Sequence, residues 1–302
     1  MPAVGGFVSD SAGAPVDREL RLYRRDTGAL LGKTRSSGGD GDPHFDKVSL
    51  LLHMDGVDGS TTFIDQLGAQ CLPVGDARLS TAQSVYGGSS LLLGGSMDGL
   101  QINHSGAFNF GTGDFTVEMW VYVIAHTNVT AALLASGGSG WVSGECVLRF
   151  DTGSVLSLYA NTNGILVGTG PFPTGQWQHV AMCRSGGTAS IYQGGVAVAS
   201  GWLPGNLNFS NNLKSFLGYS DFDKISLNGY IDDLRVTKGL ARYTSNFTPP
   251  STPFPDAPDA GRTLAFGEYY FATTHTGEVQ VVCVDDASEP LENDLILRTF
   301  PV

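Results

Sequence analysis

Asp232 and Asp233, adjacent in the stretch IDDLRV, are the carboxylates of this chain that first suggest acid–base chemistry. Cleaving a glycosidic bond takes two carboxyl groups flanking that bond, so on one strand they must share a face and sit an even number of residues apart. Neighbours on a regular strand point to opposite faces, and this pair does not qualify. Glu118, in FTVEMWVYV, has no carboxylate at 116, 120 or 122. No E-x-D-x-E pattern, G-x-S-x-G elbow or H-E-x-x-H metal helix occurs. The six histidines are scattered, and His179, in the strand pattern WQHVAMC, reads as a structural residue. The expectation is a protein that is not an enzyme.

Binding chemistry is better represented. Asp55 and Asp58 in HMDGVDGST, Asp65 shortly after them, and Asp232 with Asp233 are hard oxygen ligands of the kind Ca²⁺ takes, although Asp-Gly at 55–56 and 58–59 is equally ordinary turn chemistry. Sugar sites combine an aromatic platform with loop amides and carboxylates. Three loops offer that mixture: Trp141 in GGSGWVSG; Trp202 in SGWLPGNLNFSNN, followed by Asn206 and Asn208; and Tyr219 with Asp221 in GYSDFDK. Each loop aromatic has a second explanation, that it anchors its own loop. Trp120 and Trp177 lie in strand patterns and read as core.

The elements that carry these residues are strands. Clusters of Gly, Ser, Thr and Asn separate short apolar runs about every ten residues, the spacing of an all-β sandwich or barrel. Glycine reaches 41 of 302 residues, which suits many tight turns. From Phe115 to Val123 every odd position is apolar, so that face belongs to a core, and Glu118, Trp120 and Tyr122 on the other face suit a second covered layer. Helical periodicity is limited to possible single turns near 81–85 and 239–243. RLYRRDTGALLGKTRSS, residues 21–37, predicts a hairpin, which alone is too small to be stable and needs further strands.

Three blocks follow: residues 1–38, the Gly- and aromatic-rich 42–258, and 262–302 with EYYFATT, GEVQVVCVDD and LILRTF. Neither terminal block can bury a core alone, but together they reach the size of a small domain. The first is slightly basic and the last strongly acidic, which favours their pairing. The reading is one domain inserted into a loop of another, since domain termini often lie close together.

A net charge of −12 repels nucleic-acid backbones, and no apolar run is long enough to span a membrane. Met1-Pro2-Ala3 opens no basic-then-apolar pattern, so no secretory signal is expected. Cys71, Cys146, Cys183 and Cys283 lack metal or redox spacing and read as reduced core thiols.

Two resemblances sharpen this. VGGFVSDSAGAPVDRELRLYRRDTGALLGKTRSS together with GEYYFATTHTGEVQVVCVDDASEPLENDLILRTFPV resembles a small β-sandwich module of tailed-phage virion proteins, similar to carboxypeptidase-regulatory-like and transthyretin-like modules. DPHFDKVSLLLHMDGVDGSTTFIDQLG, FNFGTGDFTVEMWVY, WQHVAMCRSGGTASIYQGG and LNGYIDDLRVTKGLARYTSNFTPPSTPFP resemble the laminin-G-like, concanavalin-A-like jelly roll. The resemblances imply an antiparallel two-sheet jelly roll inserted into a split sandwich. Its first and last strands would be neighbours, bringing Asp55 and Asp232 together, with Asp65 as a third calcium ligand. They further imply a virion surface protein of a tailed bacteriophage, assembled in the bacterial cytoplasm. Its partners would be capsid or tail subunits, with homo-oligomers expected. Its jelly roll would bind host-envelope glycan through Trp141, Trp202, Asn206, Asn208, Tyr219 and Asp221. A purely structural head or tail decoration shares every one of these motifs; a polysaccharide-cleaving tail enzyme lacks the paired carboxylates.

Overall fold

A computed structural model describes residues 3–10, 19–26, 30–35, 42–68, 70–103, 106–126, 130–136, 146–160, 164–209, 215–221, 224–256, 268–272, 279–284 and 295–301. It is an all-β chain of antiparallel sheets. The helix among the described residues is a single 3-10 turn, Phe45–Lys47, and the stretches near 81–85 and 239–243 are bends and open chain instead of helical turns. Among the described residues no helix is long and apolar enough to cross a membrane.

The chain divides into two compact units, Met1–Asp46 with Phe254–Val302, and Lys47–Pro253. The smaller unit contains two three-stranded sheets. In one, Ala3–Asp10 lies between Glu268–Ala272 and Leu295–Pro301; in the other, Glu19–Arg24 lies between Val279–Val284 and Leu30–Arg35. The hairpin of residues 19–35 therefore gains its third strand from the far end of the chain, with Leu20 opposite Cys283 and Leu22 opposite Val281. Leu20 and Leu22 are fully buried.

The larger unit is a jelly-roll sandwich of two eight-stranded sheets. The first sheet runs Val196–Trp202, Thr188–Gln193, Trp177–Ser185, Phe115–Val123, Asn228–Lys238, Ser90–Gly94 and Arg78–Ser80, with Val48–Leu52 also paired to Asn228–Lys238. The second runs Gly164–Val167, Val155–Ala160, Cys146–Asp151, Ala131–Ser136, Ser215–Leu217, Gly99–Ile102, Gln70–Val74 and Phe63–Ile64.

The strand Phe115–Val123 explains the layering. Phe115, Val117, Met119, Val121 and Val123 all point into the core between the sheets. They meet Leu148, Leu158, Ile191, Ile231 and Val236, among others. Burying each large apolar side chain is worth about 1.5–3 kcal/mol. The opposite face is covered as well. After the strand Asn228–Lys238, residues 240–250 return across that face: Ala241, Tyr243 and Phe247 pack on Ala181, Cys183 and Tyr192, and the Tyr86 hydroxyl donates to the Pro250 carbonyl. Tyr243 and Phe247 stack with ring centroids 3.5 Å apart. Cys71, Cys146 and Cys183 are buried free thiols, and Cys283 lies in the strand Val279–Val284.

Both hydrophobic layers of the larger unit are made of its own residues. A protein consisting of Lys47–Pro253 alone is therefore expected to unfold in one cooperative thermal transition. A broad, non-cooperative melt with dye-binding apolar surface would show that the smaller unit is needed to complete it.

Candidate functional site

Glu118 stands at the centre of the first sheet's outer face and is fully buried. Arg235, opposite it on the neighbouring strand, donates Nε and Nη2 hydrogen bonds to Oε1 at 3.0 and 2.8 Å. The Tyr243 hydroxyl donates to Oε2 at 2.8 Å, and His179 Nε2 lies 3.4 Å from the same oxygen. Burial alone pushes this carboxyl up. The Arg235 charge and the His179 and Tyr243 hydrogen bonds outweigh it and hold Glu118 at about 2. The group is a permanently ionised structural anion, sealed from any substrate by the returning segment. His179 is structural in the same cluster. Trp120 is half-buried between Tyr86 and His179, and Trp177 packs against Tyr122.

The second carboxylate group forms an acidic corner. The register between Phe115–Val123 and Asn228–Lys238 shifts between Glu118 and Trp120, and Asp233 takes φ +47°. This bulge breaks the alternation that the sequence implied for Asp232 and Asp233. Asp232 Oδ2 accepts the backbone N–H of Val85 and Tyr86 at 2.7 and 3.2 Å, and Asp233 Oδ1 pairs with His53 Nδ1 at 2.6 Å. Asp55 is exposed, and its carboxyl fills the space that a side chain on Gly87 would need. Burial, then the nearby Asp233 and Asp55 charges, overcome the two backbone hydrogen bonds and push Asp232 up to about 8.

Asp55 and Asp232 are thus brought together. Asp65 is not: it is buried at the end of Phe63–Ile64 in the second sheet, where it and burial push the Cys71 thiol up to about 12. Asp232 Oδ1 is buried with no hydrogen-bond partner, which fits a hard cation. Among the described residues no three His, Cys, Asp or Glu side chains surround one point, so an ion held here would take main-chain and water oxygens beside Asp55 and Asp232.

The third place is a rim at the open end of the first sheet. Trp202 ends the edge strand and is 67% exposed. The outer edge of its ring, Cζ3 and Cη2, meets the Gly186-Gly187 turn. A Cβ on Gly187 would lie 2.9 Å from two ring carbons, and Gly187 has φ +88°, so only glycine lets the ring settle there. The turn is fixed by Gly186 N–H donating to Asp114 Oδ1 at 2.8 Å and Leu203 N–H donating to the Gly187 carbonyl at 2.9 Å. Beneath it lies Arg184, fully buried, donating to the carbonyls of Gly111, Gly113 and Gly205. One guanidinium thereby ties the 111–114 and 203–207 loops together.

Of the other expected sugar ligands, Asn206 is exposed on this rim, whereas Asn208 is half-buried and its Oδ1 accepts Gly111 N–H at 2.9 Å, a loop-fixing role. Tyr219 is buried in a separate two-stranded hairpin, 3% exposed, and packs on Phe216; Asp221 binds the Tyr219 hydroxyl and Lys224. Neither joins the Trp202 rim. Trp141 lies outside the described residues. Arg184 and Gly187 escaped sequence reasoning, although an arginine inside an apolar strand next to Ser-Gly-Gly was a visible signal.

Residues 93–241 match the family model of the Concanavalin A-like lectin/glucanases superfamily, Laminin_G_3, and the sandwich has that jelly-roll lectin/glucanase fold. No curated protein matches the chain in sequence. Among solved structures, domain 4 of AbnA, a GH43 extracellular arabinanase from Geobacillus stearothermophilus in complex with arabinotriose, is similar at 20% identity and TM-score 0.48, over 65% of this chain and 94% of that one. Trypanosoma rangeli sialidase is similar at 14% identity and TM-score 0.46, over 65% of this chain and 31% of that one. The receptor-binding domain of botulinum neurotoxin C/D mosaic serotype is similar at 15% identity and TM-score 0.47, over 65% and 49%. The chain thus spans less than half the length of the latter two.

The buried anion gives a direct test. Its folded pKa of about 2 lies below the unfolded carboxyl value of about 4.3, so the stabilisation is complete above pH 5 and is lost as the pH falls through about 2. Near-complete protonation should cost about 3 kcal/mol. Glu118→Gln should lose about 3–5 kcal/mol at pH 7 by leaving Arg235 buried without its anion, and its urea midpoint should fall less steeply between pH 5 and 3 than the parent's. Equal acid slopes in the two proteins would remove Glu118 from that role.

Proposed function

We propose that this chain is a non-catalytic surface protein of a tailed-phage virion whose jelly roll binds host-envelope glycan at the Trp202 rim. The observation that carries the glycan reading is Trp202, 67% exposed, with the outer edge of its ring held against a glycine turn. An exposed aromatic beside polar groups is the mixture that sugar sites use. Sugar rings present C–H groups that stack on such a face, while exposed Asn206 supplies an amide at the rim. The match to a lectin/glucanase family model covers Thr188, Trp202 and Asn206. Glu118, one of three fully buried carboxylates with Asp232 and Asp233, is committed to Arg235.

The virion assignment rests on the resemblance of both terminal segments to phage sandwich modules. In this reading the smaller unit contacts other virion proteins, in a homo-oligomer, and the jelly roll faces the host. Weak single-site binding is sufficient there, because copies on one particle add avidity without new contacts. Calcium, where bound, is held by Asp55 and Asp232 and supports the corner of the fold, apart from the sugar rim.

Two measurements test this. Trp202→Ala should change thermal stability by less than about 1 kcal/mol and weaken attachment to host cells by about tenfold or more. If the variant folds and attaches like the parent, the chain is a decoration protein or its sugar site lies elsewhere. Calcium at about a hundred times its Kd should stabilise the protein by about 2.7 kcal/mol, and Asp232→Asn should abolish that gain; an unchanged melting temperature would take calcium out of the account.

A further inference from the structure

The register of the outer face decides what kind of sugar the rim can take. Thr188 lies directly opposite Trp202, Ser185 is opposite Thr188, and Ser190 is opposite Ser200 on the same face. The Ser190 and Ser200 hydroxyls are 2.9 Å apart. Ser185, Thr188 and Ser200 are exposed. Trp202 therefore borders a plate of hydroxyl groups, each able to donate and to accept a hydrogen bond, which suits the hydroxyls of a sugar.

The same plate offers an anion nothing. The two charged groups beneath it are committed: Asp114 accepts the Gly186 N–H, and Arg184 is fully buried under three carbonyl acceptors. The chain as a whole carries −12, so a carboxylated sugar approaches against the field, and among the described residues the guanidinium nearest the plate, Arg184, is already committed to carbonyls. The Trp202 ring, its outer edge against Gly187 and the residue 67% exposed, offers flat apolar surface, which rewards a pyranose with C–H groups gathered on one face.

Resting on the reading of Trp202 as a glycan platform, we infer that the ligand is a neutral sugar chain stacked on Trp202 and hydrogen-bonded by the Thr188–Ser190–Ser200 hydroxyl plate, and that uronates and other acidic sugars are rejected. The position where the discrimination is set is Thr188, the exposed cross-strand partner of the ring.

The test is retention of the full chain in affinity electrophoresis on two neutral polysaccharides, a galactan and a glucan, and on polygalacturonate, at low salt and at about 0.15 M salt, where charge effects are screened beyond roughly 8 Å. The expected result is retention on a neutral polymer that is insensitive to salt and about tenfold weaker in Trp202→Ala, with none on polygalacturonate. Thr188→Arg should keep its melting temperature and gain salt-sensitive retention on polygalacturonate. Parent-protein retention on polygalacturonate that is lost in Trp202→Ala would overturn the neutral class while leaving the platform in place. Failure of Thr188→Arg to gain that retention would overturn the plate as the source of discrimination. Retention on no polymer, or retention indifferent to Trp202→Ala, would overturn both this inference and the sugar site beneath it.

Discussion

A carboxylate in the middle of a sheet face dictates how the rest of this sandwich is built. Glu118 sits on the outer side of the strand whose inner side forms the core, and it is fully buried. A lone buried anion would cost several kcal/mol. Arg235 supplies the charge, Tyr243 supplies a hydroxyl, and the chain that carries Tyr243 must therefore cross the sheet. That crossing is secured further along, where Phe247 N–H donates to the Gly195 carbonyl at 2.9 Å and Asn246 Oδ1 accepts the Ala197 N–H at 3.0 Å. The covering layer is pinned to the start of the edge strand, and the other end of that strand, with Ser200 and Trp202, is left open. The Trp202 rim is what the covering segment does not reach.

A second buried charge makes that open end rigid. Arg184 uses its planar fork of donors to satisfy carbonyls from two loops at once, a geometry a lysine ammonium cannot reproduce. Loops rich in glycine lose much backbone entropy on ordering, and here that cost is met by charge-assisted hydrogen bonds in a dry site. The aromatic ring above them is therefore carried on a stiff base, which lowers the entropy lost when a ligand stacks on it.

The strand pattern of Phe115–Val123 was legible because period-two alternation is a local property, and Trp202 was legible because a large aromatic between Gly and Pro is locally unusual. The partnership of Glu118 with Arg235 was not, since the two are joined only through the sheet register. The Asp233 bulge hid for a related reason: one extra residue in a ladder leaves no trace in composition, yet it overturns which face each aspartate shares. Asn208 and Tyr219 look like sugar ligands in sequence because polar and aromatic loop residues are the same types that satisfy loop amides and fill hairpin interiors. Which of these jobs a loop residue holds is settled by tertiary neighbours.

Glu118 and Asp232 make an instructive pair, because both are buried carboxylates on one sheet, carried by the two paired strands Phe115–Val123 and Asn228–Lys238. Glu118 meets a guanidinium and is held at about 2; Asp232 meets two backbone amides and two further aspartates and is pushed to about 8. Burial acts in the same direction on both, so the difference comes from the sign of the neighbouring charge. At neutral pH the first is a fixed anion that locks the covering layer. Asp232 is instead held above the usual carboxylate range by its burial and its acidic neighbours. One fold thus sets the same chemical group in opposite surroundings on paired strands, while the Trp202 rim draws on neither, because its own charge, Arg184, is satisfied by main-chain carbonyls.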